Sequence, residues 1–217
     1  MSSWRRARYS VYAAFYDLGP GFADERARAI ALLHLSPGEH VLVPGVGTGA
    51  DLPLLPTSVE VLGVDLTPAM LARARAHCRP GIELRLMNAE RLDLPDASFD
   101  AVLLHQVLEV VADPAACLAE AARVLRPGGR ISVYDKFVPE EAPHSPWRAA
   151  VARAVDLVFT TSKLRFRELL ARSGAPLVVA HEEPSTPPFT ILTLQRAQAS
   201  GVPATHGRHD DPEGDPP

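Results

Sequence analysis

The sequence predicts an α/β protein: a mostly parallel sheet of seven strands, covered by helices on both faces and finished by a C-terminal antiparallel strand. Three observations carry that expectation. Short β-rich runs alternate with helical patterns as far as Tyr134, and such alternation implies crossover connections and a parallel sheet. A loop with glycines at three alternate positions follows the first of these runs. After Tyr134 the rhythm changes, and the last two strand-like runs follow each other with only a short Pro-rich link. Neighbouring strands without a helix between them pair antiparallel or lie apart.

In chain order, residues 1–37 read as an N-terminal helical cap, with a helix over Ala23 to Leu35. The sheet begins with Glu39 to Pro44 and continues with Val59 to Val64, Ile82 to Met87, Phe99 to Leu104 and Arg130 to Tyr134. Between them, Thr67 to Cys78 opens with Thr-Pro, and Asp113 to Leu125 opens with Asp-Pro, each a cap residue followed by proline at the first helical position. Pro127-Gly128-Gly129 stops the second of these helices. A loop over Pro139 to Pro146 leads into helical patterns at Trp147 to Phe159 and Lys163 to Ser173, then strands at Pro176 to Ala180 and Phe189 to Leu194. Residues 38–198 therefore read as one domain, and 199–217, polar and proline-rich, as a disordered tail that buries too little to offset its ordering entropy.

Composition narrows the class. The 217 residues carry 26 acidic and 22 basic side chains, a net charge of −4, which argues against attraction to nucleic acid. Cys78 and Cys117 have neither zinc nor redox spacing and fit a reducing cytosol. No apolar stretch approaches a membrane span, and no apolar run follows Met1 to Arg8 to serve as a targeting segment, so a cytoplasmic location is expected. His34, His40, His77, His144 and His181 are scattered without ligand spacing, so no metal site is expected.

The chemistry concentrates at Val43-Pro44-Gly45-Val46-Gly47-Thr48-Gly49. Glycines there permit unusual backbone angles and close approach of a ligand to the main chain. Asp65 closes the second strand, where a carboxylate can accept both hydroxyls of an adenosine ribose. Together they point to an adenosine-containing ligand. A dinucleotide site would carry Gly-x-Gly-x-x-Gly. That spacing is absent here, as is a Tyr-x-x-x-Lys pair after the fourth strand, so a nicotinamide-dependent dehydrogenase is disfavoured.

The Gly-x-Gly-x-Gly spacing resembles motif I of the class I S-adenosylmethionine-dependent methyltransferases. Val64 to Leu71, Asn88-Ala89-Glu90, Leu94 to Asp100 and Arg123 to Arg130 resemble that family's later blocks, in its order, across residues 38–135. The resemblance implies a Rossmann-like fold and S-adenosyl-L-methionine as cofactor. It implies that Gly45, Gly47 and Gly49 line the methionine part, that Asp65 holds the ribose, and that Leu66 and Met70 flank the adenine. Asn88, Ala89 and Glu90 would meet the adenine edge, and His105 would stand near the sulfonium and the acceptor. A histidine there can act as a base near neutrality, or simply fill and hydrogen-bond the end of a buried strand.

One departure stands out. The family usually carries an acid two residues before the first glycine, where this chain has Val43 followed by Pro44. Weaker cofactor binding, compensation by an acid such as Asp51, and a non-catalytic adenosyl-ligand-binding module are the readings this leaves open.

Tyr12 to Asp17 resembles the N-terminal cap of small-molecule and lipid methyltransferases, and Gly45 to Pro53 resembles the bacterial phosphatidylethanolamine N-methyltransferases and the related quinone methyltransferases, which implies a small-molecule or lipid acceptor. Tyr12 and Tyr16 are the candidate acceptor contacts, or packing residues of a lid. No Asn-Pro-Pro-Tyr-like block is present, so nucleic acid is not expected as acceptor. Trp147, Val151, Val155, Val158 and Phe159 share a helical face, and Arg148 to Arg172 holds six basic against two acidic residues. Such a stretch can lie as a peripheral contact on the anionic inner membrane surface. An apolar stripe packed on the sheet beneath solvated arginines is the favoured reading, because amphipathic helices are the rule in globular proteins.

Overall fold

The computed structural model describes residues 22–138 and 164–198. The elements run α1 (Phe22–Ala31), β1 (His40–Pro44), β2 (Glu60–Asp65), α2 (Pro68–Ala74), β3 (Ile82–Leu86), β4 (Phe99–His105), α3 (Pro114–Val124), β5 (Leu125–Lys136), α4 (Phe166–Ser173), β6 (Leu177–Pro184) and β7 (Phe189–Arg196). One seven-stranded sheet results, in the order β3-β2-β1-β4-β5-β7-β6. The pairs from β3 across to β5 are parallel, and β7 is antiparallel to both its neighbours. This is the expected mostly parallel, Rossmann-like sheet with its antiparallel C-terminal strand.

Successive strand residues point to opposite faces, and each face has its own helices. Val41, Val43, Val61, Ala101 and Leu103 pack with Ile30 and Leu33 at the α1 end and with Leu71 and Ala74 of α2. Leu42, Leu62, Val102, Leu104, Ile131 and Val133 pack with Leu118, Ala121 and Ala122 of α3 and with Phe166 and Leu169 of α4. Covered on both sides, the inner strands read as continuous apolar runs instead of alternating ones.

Several boundaries differ from expectation for local reasons. Asp113 caps α3 as expected, accepting from the N–H groups of Ala115 and Ala116. Thr67 does not cap α2 through its side chain; its N–H instead donates to Asp65 Oδ1 at 2.7 Å. The helix from there is α-helical only to Ala74, then tightens into a 3-10 turn over Arg75–His77. β5 begins at Leu125, not Arg130, because Leu125 already pairs with Phe99 before the register shifts past the glycine pair. β6 runs on to Pro184 because β7 offers it partners that far. The expected helix at Trp147 to Phe159, the loop at Pro139 to Pro146, the 199–217 tail, Tyr12 and Tyr16 lie outside the described residues.

β1 and β4 are neighbours, while their crossovers lead away in opposite directions, β1 to β2 and β4 to β5. A crevice outside the carboxyl ends of strands forms at such a switch point. The glycine loop leaves β1 at that place.

Candidate active site at the carboxyl edge of the sheet

The loop after β1 is built to stay close to its neighbours. Gly45 sits at φ +65°, and a Cβ there would lie 2.5 Å from Val107 Cγ2, so only glycine lets the turn after β4 close on the loop. Gly47, at φ +56°, differs: an added Cβ would meet nothing nearer than the Gly45 carbonyl oxygen at 3.8 Å. The backbone at Gly47 thus borders open space. Val46 N–H donates to the Val64 carbonyl at 2.9 Å, tying the loop to β2.

Asp65 joins the same construction. Its Oδ2 accepts from Gly47 N–H at 3.0 Å and its Oδ1 from Thr67 N–H at 2.7 Å. Burial lifts its carboxyl above the usual carboxylate value, against the opposing pull of those Thr67 and Gly47 hydrogen bonds. The Thr67 side chain and the Leu66 N–H also bear on the carboxylate and pull the same way as those bonds. Beside it, Leu66 is 41% exposed whereas Met70 is buried.

Beyond β3, Asn88 Oδ1 accepts from Glu90 N–H at 3.0 Å, which fixes a tight turn. Ala89 is buried in the core with Leu92. Glu90 turns to α3: its Oε1 accepts from the N–H groups of Ala112 and Asp113, at the start of that helix.

His105 ends β4 with its side chain fully buried. Nδ1 lies 2.7 Å from Asp51 Oδ1, and Nε2 lies 3.0 Å from Ser132 Oγ. Ser132 donates its own proton to the Ala29 carbonyl at 3.1 Å, so its oxygen accepts from Nε2. Both ring nitrogens are therefore engaged, one by Asp51 and the other by Ser132. Asp51 Oδ2 accepts from Arg26 at 2.7 Å. Burial alone would raise the Asp51 carboxyl, but His105 and Arg26 outweigh it and hold it well below the usual carboxylate range.

Three features at this edge escaped the sequence reading. Arg26 reaches the network from α1, a pairing across 25 residues that no local pattern signals. Asp135, at the end of β5, accepts from Leu108 and Lys136 N–H, each at 2.9 Å. Burial, with Glu109 adding to it, pushes the Asp135 carboxyl up to about 7. Its signal was an acid directly after the apolar and aromatic run Ile131 to Tyr134. Gln106 follows His105 at φ +56°, and its Nε2 is buried without a hydrogen-bond partner among the described residues. Among those residues no cluster of three His, Cys, Asp or Glu side chains could hold a metal, and no helix is long and apolar enough to cross a membrane.

A doubly wound sheet with a close-packed glycine loop and a strand-end acid defines a nucleotide-type ligand site, and the comparisons with known proteins specify the class. Residues 42–133 match the family described as methyltransferase domain. A phosphatidylethanolamine N-methyltransferase of Cereibacter sphaeroides is 35% identical over 191 residues, 84% of this chain and 93% of its own length. A demethylmenaquinone methyltransferase of Tropheryma whipplei is 42% identical over 116 residues, 52% of this chain and 48% of its own. In structure, a geranyl diphosphate C-methyltransferase from Streptomyces coelicolor, solved with S-adenosyl-L-homocysteine, shares the fold at a TM-score of 0.66 and 16% identity, covering 80% of this chain and 79% of that one. The chain belongs to the class I S-adenosylmethionine-dependent methyltransferases. It is a methyltransferase, and S-adenosylmethionine is its cofactor.

The residues present fit that cofactor. Gly47 leaves a backbone cradle that a Cβ would fill, Asp65 places a carboxylate against that backbone at the strand end, and Leu66 exposes an apolar side chain next to it.

Proposed function

We propose that this enzyme methylates the amine of a phosphatidylethanolamine-type lipid. The observation that carries the proposal is the extent of the likeness to the Cereibacter sphaeroides phosphatidylethanolamine N-methyltransferase, 84% of this chain and 93% of that one. The likeness to the demethylmenaquinone methyltransferase spans about half of each. A match of the first kind takes in more than the region of the methyltransferase family match.

S-adenosylmethionine supplies an electrophilic methyl group on a positively charged sulfur, which passes to a nucleophile and leaves S-adenosylhomocysteine. The protein's part is to hold the partners in line and exclude water. In this reading the Gly45, Gly47 and Gly49 backbone borders the methionine part. Asp65 takes the ribose, while Leu66 and Met70, with Asn88 and Ala89, take the adenine. Glu90 orders the turn before α3 and acts on the adenine pocket through Asn88. His105 serves as a positioning residue, because both its nitrogens are committed to Asp51 and Ser132. The lipid amine sheds its proton to solvent, and Gln106 Nε2, without a partner among the described residues, offers a donor to an oxygen of the headgroup. Tyr12 and Tyr16 are the candidate contacts to the acceptor in this reading.

The test is incubation of the purified protein with S-adenosylmethionine and either phosphatidylethanolamine vesicles or demethylmenaquinol, followed by mass spectrometry. Gain of methyl groups on the lipid is the expected result. Turnover of demethylmenaquinol with unchanged lipid would overturn the acceptor.

A further inference from the structure

We propose that Asp51 and Arg26 form the charged seat for the amino-acid end of S-adenosylmethionine, Asp51 taking its ammonium group and Arg26 its carboxylate. The inference rests on the cofactor, not on the lipid acceptor.

The amino-acid end of the cofactor carries opposite charges on adjacent groups, so its seat needs an anion and a cation side by side. From Val43 to Gly49 the glycine loop has no charged side chain, and Val43 itself is buried among Ile30, Leu33 and Leu103 on the α1 face. Just past Gly49, Asp51 opens the 3-10 turn Leu52–Leu54. Its two oxygens meet Arg26 and His105, each at 2.7 Å. Each oxygen has one such partner and so keeps a lone pair for an ammonium N–H. Among the described residues, Asp51 is the one hydrogen-bond acceptor of the Arg26 guanidinium, whose carbon sits 6.0 Å from the centre of the Tyr134 ring. A guanidinium carries five N–H donors in a planar fork suited to a carboxylate. Among the described residues, the pair thus sets a carboxylate and a guanidinium side by side, each with hydrogen-bonding capacity left, directly after the loop that borders the cofactor space.

The network behind the pair is fixed. His105 holds Asp51, Ser132 holds His105, and Ala29 of α1 holds Ser132. Arg26 and Ala29 belong to the same helix, so the seat joins α1, the glycine loop, β4 and β5. A seat of this kind supplies the carboxylate that the position of Val43 does not.

The test compares two ligands by calorimetric titration of the full chain. S-adenosylhomocysteine carries the amino-acid end, and 5′-methylthioadenosine lacks it. Wild-type protein should bind the first at least about ten-fold more tightly than the second. Asp51→Asn and Arg26→Met should each weaken S-adenosylhomocysteine about ten-fold or more and leave 5′-methylthioadenosine within about two-fold. Arg26→Lys, which keeps the charge but loses the fork, should fall between wild type and Arg26→Met, and it keeps the test intact if the stronger variants fail to fold. Equal losses for both ligands would show that the pair merely braces the loop, and would overturn the proposal. So would unchanged affinity in the variants, or wild-type protein that binds the two ligands equally.

Discussion

Asp51 and His105 meet 2.7 Å apart in the buried layer between α1 and the sheet, with Arg26 on the other carboxylate oxygen. One carboxylate thereby offsets two buried cation-forming groups. Removing it should cost more than removing a surface ion pair, because it leaves partners buried without compensation. Asp51→Ala is expected to lower unfolding free energy by about 3–5 kcal/mol, read from urea denaturation at neutral pH. The sign with pH follows from the depressed Asp51 carboxyl. Its contribution is complete above the ordinary aspartate value and is lost as acid titrates the folded state below it.

Asp135 has the opposite dependence. In the unfolded chain it titrates near 3.9, and in the fold its carboxyl is pushed up to about 7. Between those values the folded protein keeps a proton that the unfolded chain has released, so stability falls as pH rises from about 4 to about 7. The Glu109 carboxylate adds to the rise, and the N–H groups of Lys136, Leu108 and Glu109 oppose it. Asp135→Asn should flatten this slope, which amounts to roughly 1–4 kcal/mol in wild type. Urea midpoints at pH 5 and pH 8, compared between the two proteins, provide the check.

Gly45 and Gly47 should separate stability from binding. Alanine at Gly45 meets Val107 at 2.5 Å in addition to the strain of a positive φ. It should therefore lower stability by about 2 kcal/mol or more. Alanine at Gly47 bears backbone strain of about 1–2 kcal/mol but has open space around it. Its methyl group would fill the cradle, so cofactor affinity should fall further than stability does. Thermal melts and cofactor titrations of the two variants give the comparison.

His105 discriminates between a base and a brace. With both nitrogens engaged by Asp51 and Ser132, His105→Gln should slow methyl transfer while leaving the shape of its pH profile unchanged. Loss of an ionisation near neutrality from the rate profile would instead mark the histidine as the proton acceptor.

The sheet was legible because each strand announces itself locally. Val41-Leu42-Val43 and Val102-Leu103-Leu104 are apolar runs bounded by turn residues, and Asp113-Pro114 marks the start of α3. The glycine loop and Asp65 were legible for the same reason, since spacing along one segment sets their geometry. Side-chain partnerships were not. Glu90 pairs with the backbone at Ala112 and Asp113, and Arg26 with Asp51, through the packing of separate elements. Asp135 shows as an acid at the end of β5, but its buried environment includes the turn after β4, from whose Leu108 N–H it accepts. Contacts of that kind depend on which elements become neighbours, and residue order within either segment does not encode it.

Asp65 and Gly47, joined by a 3.0 Å hydrogen bond, tie the end of β2 to the glycine loop at the cofactor site. The most direct test is calorimetric titration of wild type and Asp65→Ala with S-adenosylhomocysteine. Wild type should bind saturably and the variant at least about ten-fold more weakly, since hydrogen bonds to a charged group are removed. Asp65→Ala protein that binds as tightly as wild type would contradict a cofactor site at Asp65.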